Sequence, residues 1–247
     1  QIGRMVYVVV SHAPTFAFDL LPATSTTAER TAALDRVSVA ELLGAFRAAQ
    51  PETFDESPAY HEVRATSAWQ AGDAERCDTD AETASALYLR RGLPGEAARA
   101  SALRALVAQR RGDAAAAYAH GRRAFELAEG AGERLAAAVY GLNLGLACFE
   151  QGRLGEALTR VRSGAEQIAE LGNDALLAHA TLNLAHIHQA FGDDTAAAEL
   201  LPLAERSALR AGQSNVATHA DLTWAGIELR RGQFDAGAHG VQRVAHF

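Results

Sequence analysis

The chain has 247 residues and a formal net charge of −7, and 49% of its residues are apolar although only 6% are aromatic. This length suffices for one large domain or two small ones with a buried core. Because alanine and leucine must supply most of the packing, the composition favours closely packed helices over a β-sandwich. The acidic balance argues against direct binding to nucleic acid or to acidic membranes, since both need a basic face.

The first part of the chain, residues 1–57, carries weaker signals than the rest. The run "MVYVVVS" (5–11) resembles a strand that has no partner in the sequence. Two capping-box patterns predict helices over about 27–36 and 39–50, and Pro51 ends the second of them. We therefore predict an N-terminal extension of a strand and two helices, which is either a degenerate leading repeat or a linker.

Two series of glycines divide the rest of the chain. Within each series the spacing is forty residues, and the second series falls midway between members of the first: Gly72, Gly112, Gly152, Gly192 and Gly232, then Gly92, Gly132, Gly172 and Gly212. A fixed period of this size is typical of repeat proteins. Apolar residues recur at three- and four-residue spacing between the glycines, which predicts a helix of about 16–17 residues in each unit. Two units make an antiparallel pair, and successive pairs must stack to cover their apolar faces.

The triplet Arg111-Gly112-Asp113 spells a tripeptide that adhesion receptors read on extracellular loops. Here its glycine is a member of the forty-residue series, so it is expected just past a helix end in the left-handed conformation. Asp113 follows at the position where a helix N-cap carboxylate is favoured. We therefore predict that the triplet is a turn and has no role in adhesion.

The segment "YGLNLGLACFEQGRLGEAL" (140–158) carries the most specific pattern. Its Leu144-Gly145, Gly152 and Ala157 resemble the tetratricopeptide repeat (TPR) signature. In that family the first glycine lets the two helices of a pair approach, and the later alanine lies where they cross. The forty-residue period resembles the long variants of MalT-like and LGN-like proteins.

The resemblance covers residues 58–247 and is strongest in the middle repeats. It implies an all-α fold, a right-handed α-α superhelix of about five helix pairs. The predicted repeats are about 58–92, 93–132, 133–172, 173–212 and 213–247. Because the last repeat stops inside its second helix, we expect the chain to be a piece of a longer protein whose other domains are partners.

A stripe of polar residues marks the first helix of the pairs. On the helix before Gly192, three of these residues recur at i, i+4 and i+7, and equivalent positions in other repeats add the rest: His179, Asn183 and His186, with Arg99, Asn143 and His219. A polar stripe predicts a wet or ligand-bearing face. The resemblance implies that this helix lines a concave groove for extended peptides, and that Asn143 and Asn183 grip the ligand's backbone. Alternatively, these amides only face solvent in an empty groove.

The histidines of the stripe extend this prediction. A neutral histidine pair would become cationic near about pH 6, so an acidic ligand is expected to bind more tightly as the pH falls, with Arg99 also selecting charge. His179, His186 and His219 could instead meet as a zinc site. No nearby carboxylate or cysteine completes that set, so we predict no metal and no cofactor.

No catalytic motif is present among the patterns considered, which include nucleotide-binding glycine loops, nucleophile elbows and metalloprotease helices. We therefore predict a non-enzymatic, cytoplasmic module that binds a protein or peptide. The association of MalT-like repeats with ATPase and DNA-binding domains implies the sensor or scaffold part of a larger bacterial signalling or transcription regulator. The alternative is a sensor of a small molecule or an autoinducer peptide that changes the shape of the superhelix on binding.

Overall fold

The computed structural model describes residues 56–232, and in this range every regular element is an α-helix. In chain order the helices are α1 Pro58–Ala71, α2 Ala74–Arg90, α3 Pro94–Arg110, α4 Ala114–Gly130, α5 Arg134–Glu150, α6 Leu154–Glu170, α7 Asp174–Ala190, α8 Asp194–Arg210 and α9 Ser214–Arg230. The strand and helices predicted before residue 56, and the second helix of the last predicted repeat, lie outside the described residues.

The turns between helices have the geometry that the glycine series predicts. All nine glycines of the two series have φ between 68° and 80°. At Gly112 the following residue closes the turn, because the backbone N–H of Asp113 donates to the carbonyl of Ala108 over 2.9 Å. The Asp113 carboxylate then accepts from the backbone N–H of Ala116 over 2.9 Å and caps α4. The adhesion-like triplet is thus a helix–helix turn, as predicted.

The chain divides into two compact units, with the boundary between Glu133 and Arg134. In the first unit α1 packs on α2, α2 on α3 and α3 on α4, and α1 also contacts α3. Small side chains fill the space among α1, α2 and α3: Ala65, Ala68, Cys77, Ala81 and Val107. Within this unit each helix thus contacts the helix that follows it, and α1 also contacts the second helix after it. This contact pattern is typical of stacked antiparallel helix pairs.

The second unit repeats this arrangement over the described helices α5 to α9. Each helix packs on the next, and the first helices of successive pairs also touch, α5 with α7 and α7 with α9. The core of α7, α8 and α9 combines alanines with larger aliphatic side chains: Leu182, Leu201, Val216 and Ile227. The first helix of a pair is therefore held between its own partner and its neighbours.

Gly145 lies at a close contact between α5 and α6. A Cβ atom at this position would lie 2.8 Å from Val161 Cγ2 and 3.1 Å from the Val161 backbone nitrogen. Ala157, one turn earlier on α6, is fully buried. The close approach that the TPR resemblance predicts at Gly145 is confirmed, and Ala157 is buried as expected of a residue at a helix crossing.

Within residues 56–232, no helix combines the length and the apolar character that crossing a membrane requires.

Candidate functional site

Five of the six residues predicted to bind ligand lie in the second unit. Asn143 is on α5, the next three residues are on α7, and the last is on α9: His179, Asn183, His186 and His219. Arg99 is on α3 of the first unit. The second unit therefore brings the amides and the imidazoles of the stripe together on successive first helices.

Arg99 is held by an internal ion pair. Its Nε donates to Glu62 Oε1 over 3.0 Å, and the Tyr88 hydroxyl donates to Oε2 of the same carboxylate over 2.5 Å. Burial opposes the charge on Arg99, but the hydrogen bond and the charge of Glu62 outweigh it and raise the pKa of Arg99. The same burial, together with Glu62, raises the pKa of Tyr88. Arg99 thus joins α3 to α1 through Glu62, a partner that the stripe pattern does not reveal.

The α7 part of the stripe is buried rather than wet. Asn183 and His186 are each only 1% exposed. The Nε2 atom of His186 lies 3.4 Å from Thr223 Oγ1 on α9, and the His186 ring lies 5.3 Å from the His219 ring between centroids. Of the two predicted alternatives, a solvent-facing or a ligand-bearing stripe, the first is wrong for these two α7 side chains, because α9 packs along α7 at this point.

The hydrogen bonds of Thr223 assign the tautomer of His186. The Thr223 hydroxyl donates to the backbone carbonyl of His219 over 2.8 Å, so its oxygen can only accept from His186 Nε2–H. The Nδ1 atom of His186 is then a lone-pair acceptor. In the described part of the chain this buried atom has no hydrogen-bond partner, and neither has Nδ1 of His179. The Nδ1 atom of His186 can accept from a donor on a ligand or water, and Nδ1 of His179 accepts or donates according to its tautomer.

The environment of these histidines keeps them neutral. Burial, and next the nearby His219, lower the pKa of His186 to about 4. Burial also lowers the pKa of His179. The expected change to a cationic pair near pH 6 is therefore wrong. At neutral pH these rings are uncharged and do not attract an acidic ligand electrostatically.

The two asparagines occupy the same position in successive repeats, Asn143 half-buried on α5 and Asn183 buried on α7. Neither side chain is without a partner inside the protein. The alternative that these amides only face solvent in an empty groove therefore does not apply to Asn183, because its side chain is buried. A ligand would share or displace its present interaction, which suits an amide because it both donates and accepts.

The described range contains no group of side chains arranged as a metal site, and its cysteines are not activated as nucleophiles. No group of three histidine, cysteine or acidic residues within 56–232 is placed to hold a metal ion. Both cysteines of the chain are buried thiols. Burial, and next the Asp78 charge, raise the pKa of the Cys77 thiol to about 11, so it is protonated at neutral pH and a weak nucleophile.

The structure contains a cavity that the sequence pattern does not reveal. It has a volume of about 440 Å³ and lies among α6, α7 and α8, with four leucines in its lining: Leu177, Leu184, Leu200 and Leu203. Helical periodicity marks these positions as apolar, but it cannot distinguish a leucine in a closed core from one in an open cavity.

Neither a family model nor a curated protein matches this chain in sequence. Solved structures do match it in fold. A Rap protein complexed with competence and sporulation factor has a TM-score of 0.68 and 13% identity, over 94% of this chain and 68% of that one. The TPR-like repeats of a Podosopora anserina kinesin light chain give a TM-score of 0.64 and 16% identity, over 78% and 95%.

A third similar structure is aspartyl phosphate phosphatase F from Bacillus subtilis. It has a TM-score of 0.64 and 14% identity, and the match covers 78% of this chain but only 60% of that protein. Identities this low show a shared fold and nothing of the activity. The all-α, helical-repeat superhelix predicted from the glycine series is confirmed. This chain therefore has the fold of TPR-like helical-repeat proteins.

Proposed function

We propose that the chain is a non-enzymatic module that binds a protein or an extended peptide along the polar stripe of its second unit. One observation carries the proposal: two buried imidazole nitrogens, Nδ1 of His179 and Nδ1 of His186, lack a partner within the described residues. A buried polar atom without a hydrogen bond costs about 1–3 kcal/mol. Because native proteins keep few such atoms, two on one helical face mark a place where a donor is expected.

The spacing of these atoms suits an extended chain. His179 and His186 are seven residues apart, which is about 10 Å along a helix axis. An extended peptide covers that length with about three residues. Asn183 lies between the two histidines in sequence, and its amide can pair with both the N–H and the C=O of a peptide unit. The expected ligand therefore presents N–H donors to the two rings and a complete peptide group to the amide.

The context of the module is also a proposal. We infer that it is the sensor or scaffold part of a larger bacterial signalling or transcription regulator. The forty-residue period, which resembles that of MalT-like and LGN-like proteins, supports this inference. So does the fold that the chain shares with a Rap protein complexed with competence and sporulation factor.

Selection from a random peptide-display library tests the proposed function. The parent chain is compared with the Asn143→Ala/Asn183→Ala double variant and with Asp113→Ala, which removes only a helix cap. We expect the parent and Asp113→Ala to enrich the same peptides and the double variant to lose them. Enrichment of the same peptides by the double variant, or their loss only in Asp113→Ala, would place the binding surface away from the stripe and overturn the proposal.

A further inference from the structure

The cavity in the second unit is a trough with two walls and a floor. The walls are α6 and α8, which contribute lining residues at i, i+3, i+4 and i+7, beginning at Arg162 and Ala196. The floor is α7, which contributes residues at i, i+4, i+7 and i+11, beginning at Leu177. Such spacings describe one face of each helix over two to three turns, or about 10–16 Å. The trough is therefore elongated along the helices.

The floor of the trough exposes mostly apolar surface, although Thr181 and His188 line it together with the two leucines of α7. Leu177 and Leu184 are buried on the floor, and the half-buried Leu200 and Leu203 lie on the α8 wall. On the α6 wall the two lining residues without charge are alanines, and this leaves room for a partner's side chains. Length, volume and lining together suit the apolar face of an α-helix laid along the trough.

The rim of the trough carries three exposed charges without ion-pair partners in the described chain: Arg162 and Glu166 on the α6 wall and Glu199 on the α8 wall. Some other acidic residues on the same helices are paired, as Asp194 is with Arg230 over 2.8 Å. Each wall thus presents one carboxylate without an ion pair above a mostly apolar floor, and the α6 wall also presents the Arg162 cation. This arrangement complements a helix with basic residues on both sides of an apolar stripe.

We propose that the trough docks a basic amphipathic helix of a partner protein, whose apolar face covers the α7 floor and whose basic residues reach Glu166 and Glu199. This site is distinct from the polar stripe. At 100° per residue, the floor positions beginning at Leu177 and the stripe positions 179, 183 and 186 lie on opposite faces of α7. The helix α7 therefore serves two binding surfaces, one on each side.

Fluorescence anisotropy with the full chain tests the proposal. The probe is a labelled helical peptide of leucine and lysine, with the leucines on one face, and the comparison probe replaces lysine by glutamate. We expect the lysine probe to bind and the glutamate probe to bind about tenfold less tightly or not at all. Equal binding of both probes would overturn the proposal, because the rim would then not select charge.

Two further variants locate the probe. Glu166→Lys/Glu199→Lys is expected to weaken the lysine probe by about tenfold, since two attractions become repulsions. Ala169→Trp, at an exposed lining position, fills the trough and is expected to weaken binding by a similar factor of about ten, because it displaces apolar contacts. Retention of full affinity by either variant would overturn the proposed site. Circular dichroism confirms that both variants keep the helical fold.

Three control variants distinguish docking in the trough from attraction by net charge and from binding at the polar stripe. Glu75→Lys/Glu129→Lys makes the same change in net charge at exposed positions of the first unit and is expected to leave binding unchanged. A loss equal to that of the rim variant would attribute binding to net charge alone. Arg162→Ala removes a like charge and is expected to bind the lysine probe at least as tightly. Asn143→Ala/Asn183→Ala is expected to bind normally, so failure of the stripe proposal leaves this one standing.

Discussion

His186 and Thr223 are 37 residues apart in sequence, yet His186 Nε2 lies 3.4 Å from Thr223 Oγ1. The contact joins α7 to α9, the first helices of two successive pairs. Because Thr223 donates its proton to the carbonyl of His219, the His186 ring must donate from Nε2, and the ring, kept neutral by burial, has its lone pair on Nδ1. Several measurable consequences follow from the burial of this ring.

Stability is expected to fall between neutral pH and pH 4 because of His186. Its pKa is about 4 in the fold, against 6.5 as the reference for the unfolded chain. Above pH 6.5 both states are neutral, but below it only the unfolded state gains a proton, so stability is lost as the pH falls towards 4. At pH 5 the loss from this residue is on the order of 2 kcal/mol.

Urea unfolding at pH 7 and pH 5 measures this loss in the parent and in His186→Gln. The variant is expected to lose less stability between the two pH values than the parent. His179 and His120 also have pKa values lowered by burial, so some dependence on pH remains in the variant. An equal loss in both proteins would show that His186 titrates normally in the fold.

Gly145→Leu is expected to destabilise the second unit by roughly 1–3 kcal/mol or more, because overpacking forces side chains and backbone apart. The position has no space, since a Cβ atom would already lie 2.8 Å from Val161 Cγ2. Gly155→Leu is the matched control, because a Cβ atom at this exposed helical position meets nothing within 4 Å. If urea melts give the two variants the same free energy of unfolding, the assignment of Gly145 to the helix crossing is wrong.

Gly112→Ala is expected to cost about 1 kcal/mol, since its φ of 74° is unfavourable for a residue with a Cβ atom. Gly130→Ala provides the comparison. Gly130 ends α4 and does not have positive φ, and a Cβ atom would have open space. Alanine there should be neutral or stabilising. Thermal melts of the two variants give the measurement, and equal destabilisation would contradict the turn's role.

Arg99→Met is expected to destabilise the first unit by about 3 kcal/mol, because it leaves the Glu62 carboxylate uncompensated where its side chain is 14% exposed. An exposed pair serves as reference: Arg134 and Glu170 lie 3.6 Å apart with side chains 70% and 69% exposed. Its removal by Arg134→Met should change stability by less than about 1 kcal/mol. Similar effects of the two substitutions in urea melts would show that Glu62 is well solvated.

The chain is expected not to bind duplex DNA at about 150 mM salt, where nonspecific phosphate contacts are weakened. The reason is its net charge of −7. Fluorescence anisotropy with a labelled duplex measures this directly. Micromolar affinity for the duplex would contradict the expectation.

The parts of this protein that sequence alone could predict are those governed by neighbouring residues. A glycine with φ of 74° at position 112, followed by a carboxylate cap at Asp113, is a local solution to ending one helix and starting the next. Repetition of the positive-φ glycine every twenty residues made the helix pairs and their stacking predictable. The close approach at Gly145 was implied by the resemblance of residues 140–158 to the TPR signature.

Tertiary packing alone decided which of the predicted site residues are buried, which are paired and which are neutral. Arg99 belongs to the stripe by sequence position, but its guanidinium forms an ion pair with Glu62, which lies 37 residues earlier. Likewise, helical periodicity places His186 on a polar face, yet α9 buries the ring and lowers its pKa to about 4. The trough also arises from the spacing of α6, α7 and α8. Burial and partnership depend on residues far apart in the chain, and no local pattern encodes them.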